Sequence, residues 1–351
     1  MAQAINTLQR RADGVRQLMP GHTWLSIQYL RGAAAMLVVL FHARDKESWL
    51  FNPLEWFGAG AHGVDIFFVI SGFVMYVAAR DETIGRFYAR RFARIAPLYW
   101  LMTVLAVALH CLRTGDGFSR LNLVRSIAFI PFFNPSFQGK IWPLLVPGWT
   151  LQFEVFFYVL FGLALLIRRP LLLVWLVLPL LVLLGHLFPM NNALWQVYTS
   201  PLLLEFAAGL LVGWAISVFD FSRMALFLPI GIVALLSSDL FLVPHLRYIG
   251  VAAVAIVVGA LGVEDSGRLP SWRLMKWLGD ASFSLYLVHA PIIDLCGIWW
   301  RTLGLSGPMQ FVSFVLVSVG VSLCAGFATH RWIERPLLRW LNHTTPVLMS
   351  R

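Results

Sequence analysis

The chain has 351 residues, of which 59% are hydrophobic and only 13% are charged, and its formal net charge is +10. So few polar residues cannot cover a water-soluble globule of this length, whereas apolar runs of ~20 residues match the thickness of a bilayer. The basic residues gather in short segments between apolar runs, which is typical of membrane topology and argues against nucleic-acid binding. The three cysteines lack the spacing of a metal site or a disulfide framework, so we expect neither.

Ten apolar runs have the length of a transmembrane helix, and we predict an all-α, polytopic membrane protein with about ten transmembrane helices. The runs are 26–43, 62–79, 96–112, 149–167, 171–188, 202–219, 224–242, 248–263, 281–299 and 309–329. Basic residues are more numerous in the segments on the side of the N-terminus, which predicts that both termini are cytoplasmic. The chain then divides into a basic cytoplasmic tail (1–25), a transmembrane domain (26–337) and a short cytoplasmic tail (338–351).

The first span reads LRGAAAMLVVLFH and carries Arg31 near its start and His42 near its end. The two residues are eleven positions apart, which in a helix is about 1100° of rotation, close to three full turns, and roughly 16 Å of rise. Their side chains therefore point the same way. Because an ionisable group at membrane depth costs a few kcal/mol, it usually faces a cavity or a partner. We predict that this helix face is functional.

The second span carries Asp65 near its outer end, at the depth predicted for His42. The inner segment that follows reads RDETIGRFYARRFARIAP and places Arg91 and Arg94 three residues apart, on one face of any helix there. Two adjacent guanidinium groups suit a phosphate. The alternative is that the two arginines belong to the excess of basic residues that inner segments of membrane proteins usually carry.

The longest outer segment, 113–148, is rich in aromatic residues. They are candidates for stacking on sugar rings, and an interfacial aromatic belt or a re-entrant segment explains them equally well. For Glu205, Asp239 and Asp294, structural pairing and a functional role both stay open.

Polar residues form a stripe in each of two later spans. Thr150, Glu154 and Tyr158 recur at i, i+4 and i+8, and a second stripe in the ninth span recurs at i, i+4 and i+7: Ser282, Tyr286 and His289. Hydrogen bonding between helices is the plain explanation of such stripes in lipid. Hydrogen bonding between helices does not by itself explain Glu154, because this residue is charged. Glu154 is predicted to lie early in an inward-running span, at the depth of His42.

Six sequence blocks occur in the order seen in acyltransferase family 3, and the chain resembles that family from about residue 26 to residue 337. The blocks are LRGAAAMLVVLFH, GVDIFFVISGFVMY, RRFARIAPLYW, WTLQFEVFFY, SFSLYLVHAP and IERP. The family comprises membrane-bound O-acyltransferases, many of which act on bacterial surface polysaccharides. The blocks look most like the exopolysaccharide O-acetyltransferase branch.

The resemblance implies roles for individual residues and a cellular setting. It implies that Arg31 and His42 form the signature of the first span, with the histidine catalytic, and that Arg91 and Arg94 engage acyl-CoA. Residues that match the family's second block are Phe67, Phe68 and Ser71, the last assigned to the acyl-CoA site. The implied setting is the bacterial inner membrane, with acetyl-CoA as the acyl-donor substrate, no permanently bound cofactor, and a polysaccharide or lipid-linked oligosaccharide as acceptor.

Together these observations predict a mechanism. The phosphates of acetyl-CoA rest on the inner arginines, the pantetheine arm runs along the first helix, and His42 removes a proton from the acceptor hydroxyl. Glu154 or Asp65 is expected to fix the tautomer of the imidazole, with Tyr286 and His289 as further site candidates. An acyl-histidine relay is a competing chemistry. A proton-coupled transporter that uses His42, Glu154 and His289 without acyl transfer is the alternative function.

Overall fold

The computed structural model describes residues 23–45, 49–79, 82–115, 117–167, 170–238 and 246–344. In these ranges the chain is almost entirely helical, and its strand pairing is limited to one isolated bridge, between Asn134 and Lys140. The all-α prediction is therefore confirmed for the described residues. The predicted basic tail lies almost wholly outside them, as do Asp239 and the end of the chain after residue 344.

The α-helices follow one another along the chain with short connections. In chain order they are α1 Leu25–Asp45, α2 Gly63–Ala79, α3 Ile84–Thr114, α4 Arg120–Ile127, α5 Trp149–Leu166, α6 Pro170–Leu187, α7 Ala193–Tyr198, α8 Leu203–Val218, α9 Phe227–Leu236, α10 Leu246–Asp265, α11 Arg273–Asp280, α12 Ser282–Arg301, α13 Gly307–Thr329 and α14 Arg335–Thr344. A π-helical turn, His330–Glu334, joins α13 to α14.

Each of the ten predicted runs overlaps a helix, although the run 224–242 overlaps only the ten residues of α9 and ends outside the described ranges. Within the described ranges, 7 segments are long and apolar enough to cross a membrane, and two shorter apolar helices span Val174–Leu187 and Ser222–Leu236. A multi-pass membrane protein is thus supported. The number of ten crossings and the cytoplasmic location of both termini stay predictions.

Helix α3 begins twelve residues before the predicted span, which was placed at 96–112. It has 31 residues, roughly 46 Å at the rise of an α-helix, and so exceeds the ~30 Å hydrocarbon core of a bilayer. Residues 84–95, which the prediction left in the inner segment, belong to this helix. Hydropathy detects only the apolar part of a helix and misses the charged part that continues from it. Arg91 and Arg94 therefore stand on a rigid helix.

The segment between α3 and α5 folds back against the middle of α3. The Tyr99 hydroxyl donates to the carbonyl of Ser126 over 3.1 Å, and the indole N–H of Trp100 donates to the carbonyl of Ile127 over 2.9 Å. The ring of Phe129 stacks on that of Tyr99 at 4.7 Å. This packing agrees with the re-entrant alternative for the aromatic segment, and it starts α5 deep in the helix bundle.

Helices α2 and α8 touch backbone to backbone through two glycines. A Cβ added at Gly72 would lie 2.1 Å from the carbonyl oxygen of Phe206, and one added at Gly209 would lie 2.0 Å from that of Val69. No side chain fits such a crossing, and small residues are the usual means of close helix approach in membranes. The contact fixes α2 in place, and α2 carries Phe67, Phe68 and Ser71.

We expect Gly209→Ala to lower the free energy of unfolding by about 2 kcal/mol or more, because its methyl group meets a backbone oxygen that cannot move aside. Gly320→Ala is the matched control, since that helical glycine has nothing within 4 Å of an added Cβ. The control should be neutral or stabilising by up to ~1 kcal/mol. Thermal unfolding in detergent measures both, and equal melting temperatures for the two variants would contradict the close crossing.

Candidate functional site

Most of the site residues predicted from the sequence line one cavity between α1, α2, α3, α5 and α12. Its empty volume is about 750 Å³, including the solvent at its mouth. The predicted residues in its wall are Arg31, Phe67, Phe68, Ser71, Arg91, Arg94, Glu154 and Tyr286. We call this the arginine cavity. His42, Asp65 and His289 are not in its wall.

Three guanidinium groups converge on the arginine cavity. Arg31 donates from Nη2 to the hydroxyl of Ser282 over 3.1 Å. Arg91 is buried, with its guanidinium 5.6 Å from the ring centre of Phe87 and 5.8 Å from that of Tyr158, and its Nε has no hydrogen-bond partner among the described residues. These aromatic and hydroxyl contacts orient the arginines without neutralising them, which leaves the cavity suited to an anion.

Two carboxylates, the half-buried Glu154 and the buried Glu334, balance part of this positive charge. Glu154 accepts hydrogen bonds from the hydroxyl of Ser71, over 3.2 Å, and from that of Tyr158. Glu334, at the end of the π-helical turn, accepts from the hydroxyl of Ser284 over 2.5 Å and lies 2.8 Å from Nδ1 of His330. Both carboxylates are within electrostatic range of Arg31.

Sequence analysis missed the position of Glu334. The residue lies in the block IERP, which was quoted for the resemblance and given no role. An acidic residue at the end of a long apolar run was the available signal, because such a charge needs a partner. The π-helical geometry, frequent at functional sites, is visible only in the structure.

Glu154 and Asp65 occupy other surroundings than the sequence predicted. Both were expected beside His42, yet Glu154 lies in the wall of the arginine cavity, which does not include His42. Asp65 lies 3.4 Å from Nδ1 of His62 and is close enough to the carboxyl group of Glu205 for the two groups to interact electrostatically. Structural pairing and a functional role both stay open for Glu205.

His42 is instead oriented by α1 itself and by α12. Its Nδ1 lies 3.0 Å from the carbonyl oxygen of Val38 and 3.3 Å from Nε2 of His289. One assignment of protons satisfies both contacts: Nδ1 of His42 carries the hydrogen and shares it between the two acceptors. The Nε2 atom of His42 then bears the lone pair, as a general base requires.

The polar stripe of α12 connects the arginine cavity to the two histidines. Ser282 holds Arg31, and the ring of Tyr286, in the cavity wall, lies 5.8 Å from the ring of the fully buried His289. The Tyr286 hydroxyl donates to the carbonyl of Pro147 and lies 2.9 Å from the hydroxyl of Thr150. This stripe does more than join helices, because its members reach both ends of the site.

Comparisons with known proteins identify the family of the chain. A family model described as an acyltransferase domain matches residues 24–327. The exopolysaccharide production protein ExoZ of Rhizobium meliloti is 36% identical over 323 residues, which cover 86% of this chain and 95% of that protein. The peptidoglycan O-acetyltransferase OatA of Listeria monocytogenes is 27% identical over 77% of this chain and 49% of its own length.

A third relative is the acyltransferase MdmB of Streptomyces mycarofaciens, which is 26% identical over 92% of this chain and 93% of that protein. No solved structure matches the chain.

We expect Glu334→Leu to lower the free energy of unfolding by about 1–3 kcal/mol, because Ser284 and His330 lose their shared acceptor. Glu334→Gln keeps an acceptor oxygen and removes only the charge, so it should fall between the wild type and Glu334→Leu. The melting temperatures of the purified wild type and variants give the order of their stabilities. A Leu variant as stable as the wild type would mean that Glu334 has no part in balancing the site.

Proposed function

The chain belongs to the acyltransferase family, and on that premise we propose that it moves an acetyl or similar acyl group from cytoplasmic acyl-CoA to a hydroxyl of a surface or exopolysaccharide sugar. One observation carries the proposal. A cavity with three guanidinium groups is joined through the α12 stripe to a pair of histidines, one of which is set up as a base. The proposed location is the bacterial inner membrane.

The arginine cavity would take the donor. The nucleotide end of CoA is polyanionic, and Arg91 and Arg94 offer planar forks that bind phosphate oxygens in pairs. The wall also contains Phe67 and Ser71. The pantetheine arm suits this part of the cavity because it is thin and uncharged, and its amides and hydroxyl can bond to a side chain such as that of Ser71. Its thioester would then lie near Tyr286, on the way to the histidine pair.

His42 would perform the proton transfer. Its Nε2 takes the proton of the acceptor hydroxyl while the hydroxyl oxygen attacks the thioester carbonyl carbon. The carbon–sulfur bond breaks, and the departing CoA thiolate takes the proton from the imidazolium. His289 and the Val38 carbonyl hold the ring for this step, and Glu154 and Ser71 line the donor side. An acyl-histidine route differs in placing the acyl group on Nε2 first.

The acceptor class follows from the relatives. ExoZ is named for exopolysaccharide production and OatA for O-acetylation of peptidoglycan, and both name a glycan. We therefore propose a sugar hydroxyl, presented on a polysaccharide or a lipid-linked oligosaccharide. A proton-coupled transporter would leave the thioester intact.

The direct test supplies purified protein in lipid nanodiscs with acetyl-CoA labelled in the acetyl group and with glycans from bacterial envelopes. Label should pass to a glycan in an ester-linked form, sensitive to mild base. Intact acetyl-CoA across a broad panel of glycans would contradict the proposal and favour transport. Quenching the reaction before glycan is added separates the two chemistries, because only the acyl-histidine route labels the protein.

We expect His42→Ala to lower turnover by about 10²- to 10⁴-fold, the usual cost of losing a general base. The variant should still fold and bind acetyl-CoA, since the arginines are intact. Turnover per folded molecule and donor affinity are measured side by side. His110→Ala, a histidine substitution on α3 outside the arginine cavity, is the control and should retain turnover. Near-normal turnover in His42→Ala would remove His42 from the mechanism.

Arg91→Ala and Arg94→Ala should each weaken acetyl-CoA binding by about tenfold or more, because a charge-assisted hydrogen bond to phosphate is lost. Lysine at either position should rescue binding only in part, since it lacks the paired donors. Arg90→Ala is the matched control: Arg90 is exposed and pairs with Glu82. Isothermal titration measures the three affinities. Equal affinity in all three variants would exclude the phosphate role.

A further inference from the structure

A second cavity opens between α6, α7, α8 and α10, and the proposed acyl transfer makes no use of it. Its empty volume is about 2170 Å³, including the solvent at its mouth. Its wall contains Leu183, Leu204 and Val251, which are exposed on the surface of the helix bundle. In a membrane protein such exposed apolar side chains face lipid tails, so the cavity is open to the bilayer from the side.

The polar side chains of this cavity gather at one end. His186, Gln196 and Ser200 lie near the end of α6 and around α7, the side that the predicted topology places outside. The rest of the wall is mainly aliphatic. A ligand that matches both parts has an apolar chain and a polar head, and it enters from the membrane.

One buried acceptor in this cavity is unsatisfied. Glu205 lines the cavity and is only 6% exposed, and its Oε2 has no hydrogen-bond partner among the described residues. A buried oxygen left without a donor costs about 1–3 kcal/mol, which a hydroxyl from a ligand would recover. A head group with hydroxyls therefore fits the cavity better than a purely apolar ligand does.

Helix α2 links the wall of this cavity to α1. Glu205, in the cavity wall, interacts electrostatically with Asp65 on α2, and the first residue of α2 packs tightly on α1: a Cβ at Gly63 would lie 2.4 Å from the carbonyl oxygen of Ala34 and 2.9 Å from a methyl of Val38. Val38 in turn supplies the carbonyl that holds His42. Packing contacts therefore run from the cavity wall through α2 to the helix that carries His42.

We propose that the second cavity binds the apolar carrier chain of a lipid-linked sugar acceptor and that Glu205 accepts a hydrogen bond from a hydroxyl of its head group. This assignment rests on the proposed acyl transfer. It separates the two substrates: the polyanionic donor meets the arginines, whereas the hydroxylated acceptor meets a mainly aliphatic wall with one buried hydrogen-bond acceptor.

The test fills the second cavity and measures binding and transfer separately. Val251→Trp places an indole in the cavity wall, and Val233→Trp makes the same change on α9 outside it; the two valines are 66% and 65% exposed. The probes are lipid-linked oligosaccharide extracted from bacterial membranes, labelled on the sugar, and the same oligosaccharide released from its carrier. Binding of each probe is measured with the protein in nanodiscs, and transfer is measured as the passage of label from acetyl-CoA to the probe.

We expect Val251→Trp to weaken binding of the lipid-linked probe by about tenfold or more, and its acetylation in proportion, while acetylation of the released sugar stays unchanged. Val233→Trp should change neither. Equal binding by the two variants would overturn the assignment. So would displacement of the probe by an ordinary phospholipid at equal concentration, because the cavity would then be a general lipid groove.

Glu205 is tested with two variants of similar size. Glu205→Gln keeps an oxygen acceptor and should retain binding within about threefold, whereas Glu205→Leu should lose about tenfold. Equal binding by the Gln and Leu variants, at equal melting temperature, would remove the head-group contact. If the wild type binds the lipid-linked probe but acetylates neither acceptor, the proposed transfer fails while the binding assignment stands.

Discussion

The convergence of three arginines, one of them buried and two half-buried, is the constraint around which this helix bundle is arranged. A guanidinium cannot lose its proton in a protein, so it must be given partners wherever the fold removes it from water. Aromatic faces, a serine hydroxyl and two carboxylates provide them here, and they come from α3, α5, α12 and the π-helical turn. Elements far apart in the chain are thereby held around one cavity, with a residual positive charge that favours an anion.

Local periodicity predicted the elements of the fold and much of the site. The spacing of Arg31 and His42, the stripe of α12 and the pair on α3 each depend on 3.6 residues per turn, which the sequence displays directly. The depth of a residue in the membrane and its partners on other helices were harder to predict. Glu154 was expected beside His42 because nothing local in the sequence shows that its side chain turns toward Ser71 and the arginines. Glu334 and the contact between Asp65 and Glu205 depend on which helices become neighbours, and that is decided by packing.

In the proposed mechanism, the two cavities of the helix bundle bind different substrates. The donor side is cationic and lies along α3, whereas the second cavity is apolar, with a single carboxylate at its inner wall. The pair of histidines is reached from the donor side through Tyr286 and is fixed by contacts from α1 and α12. A reaction between a water-soluble anion and a membrane-held sugar requires this kind of arrangement, because neither substrate is stable in the surroundings that suit the other.

The glycine crossing of α2 and α8 has a mechanical consequence. Two helices in backbone contact move as one rigid partition, and this one has the arginine cavity on one side, through Ser71, and the second cavity on the other, through Glu205. Because backbone contact, and not a layer of side chains, sets the separation of these two helices, the wall that the two cavities share is thin and cannot be reshaped by side-chain rotation.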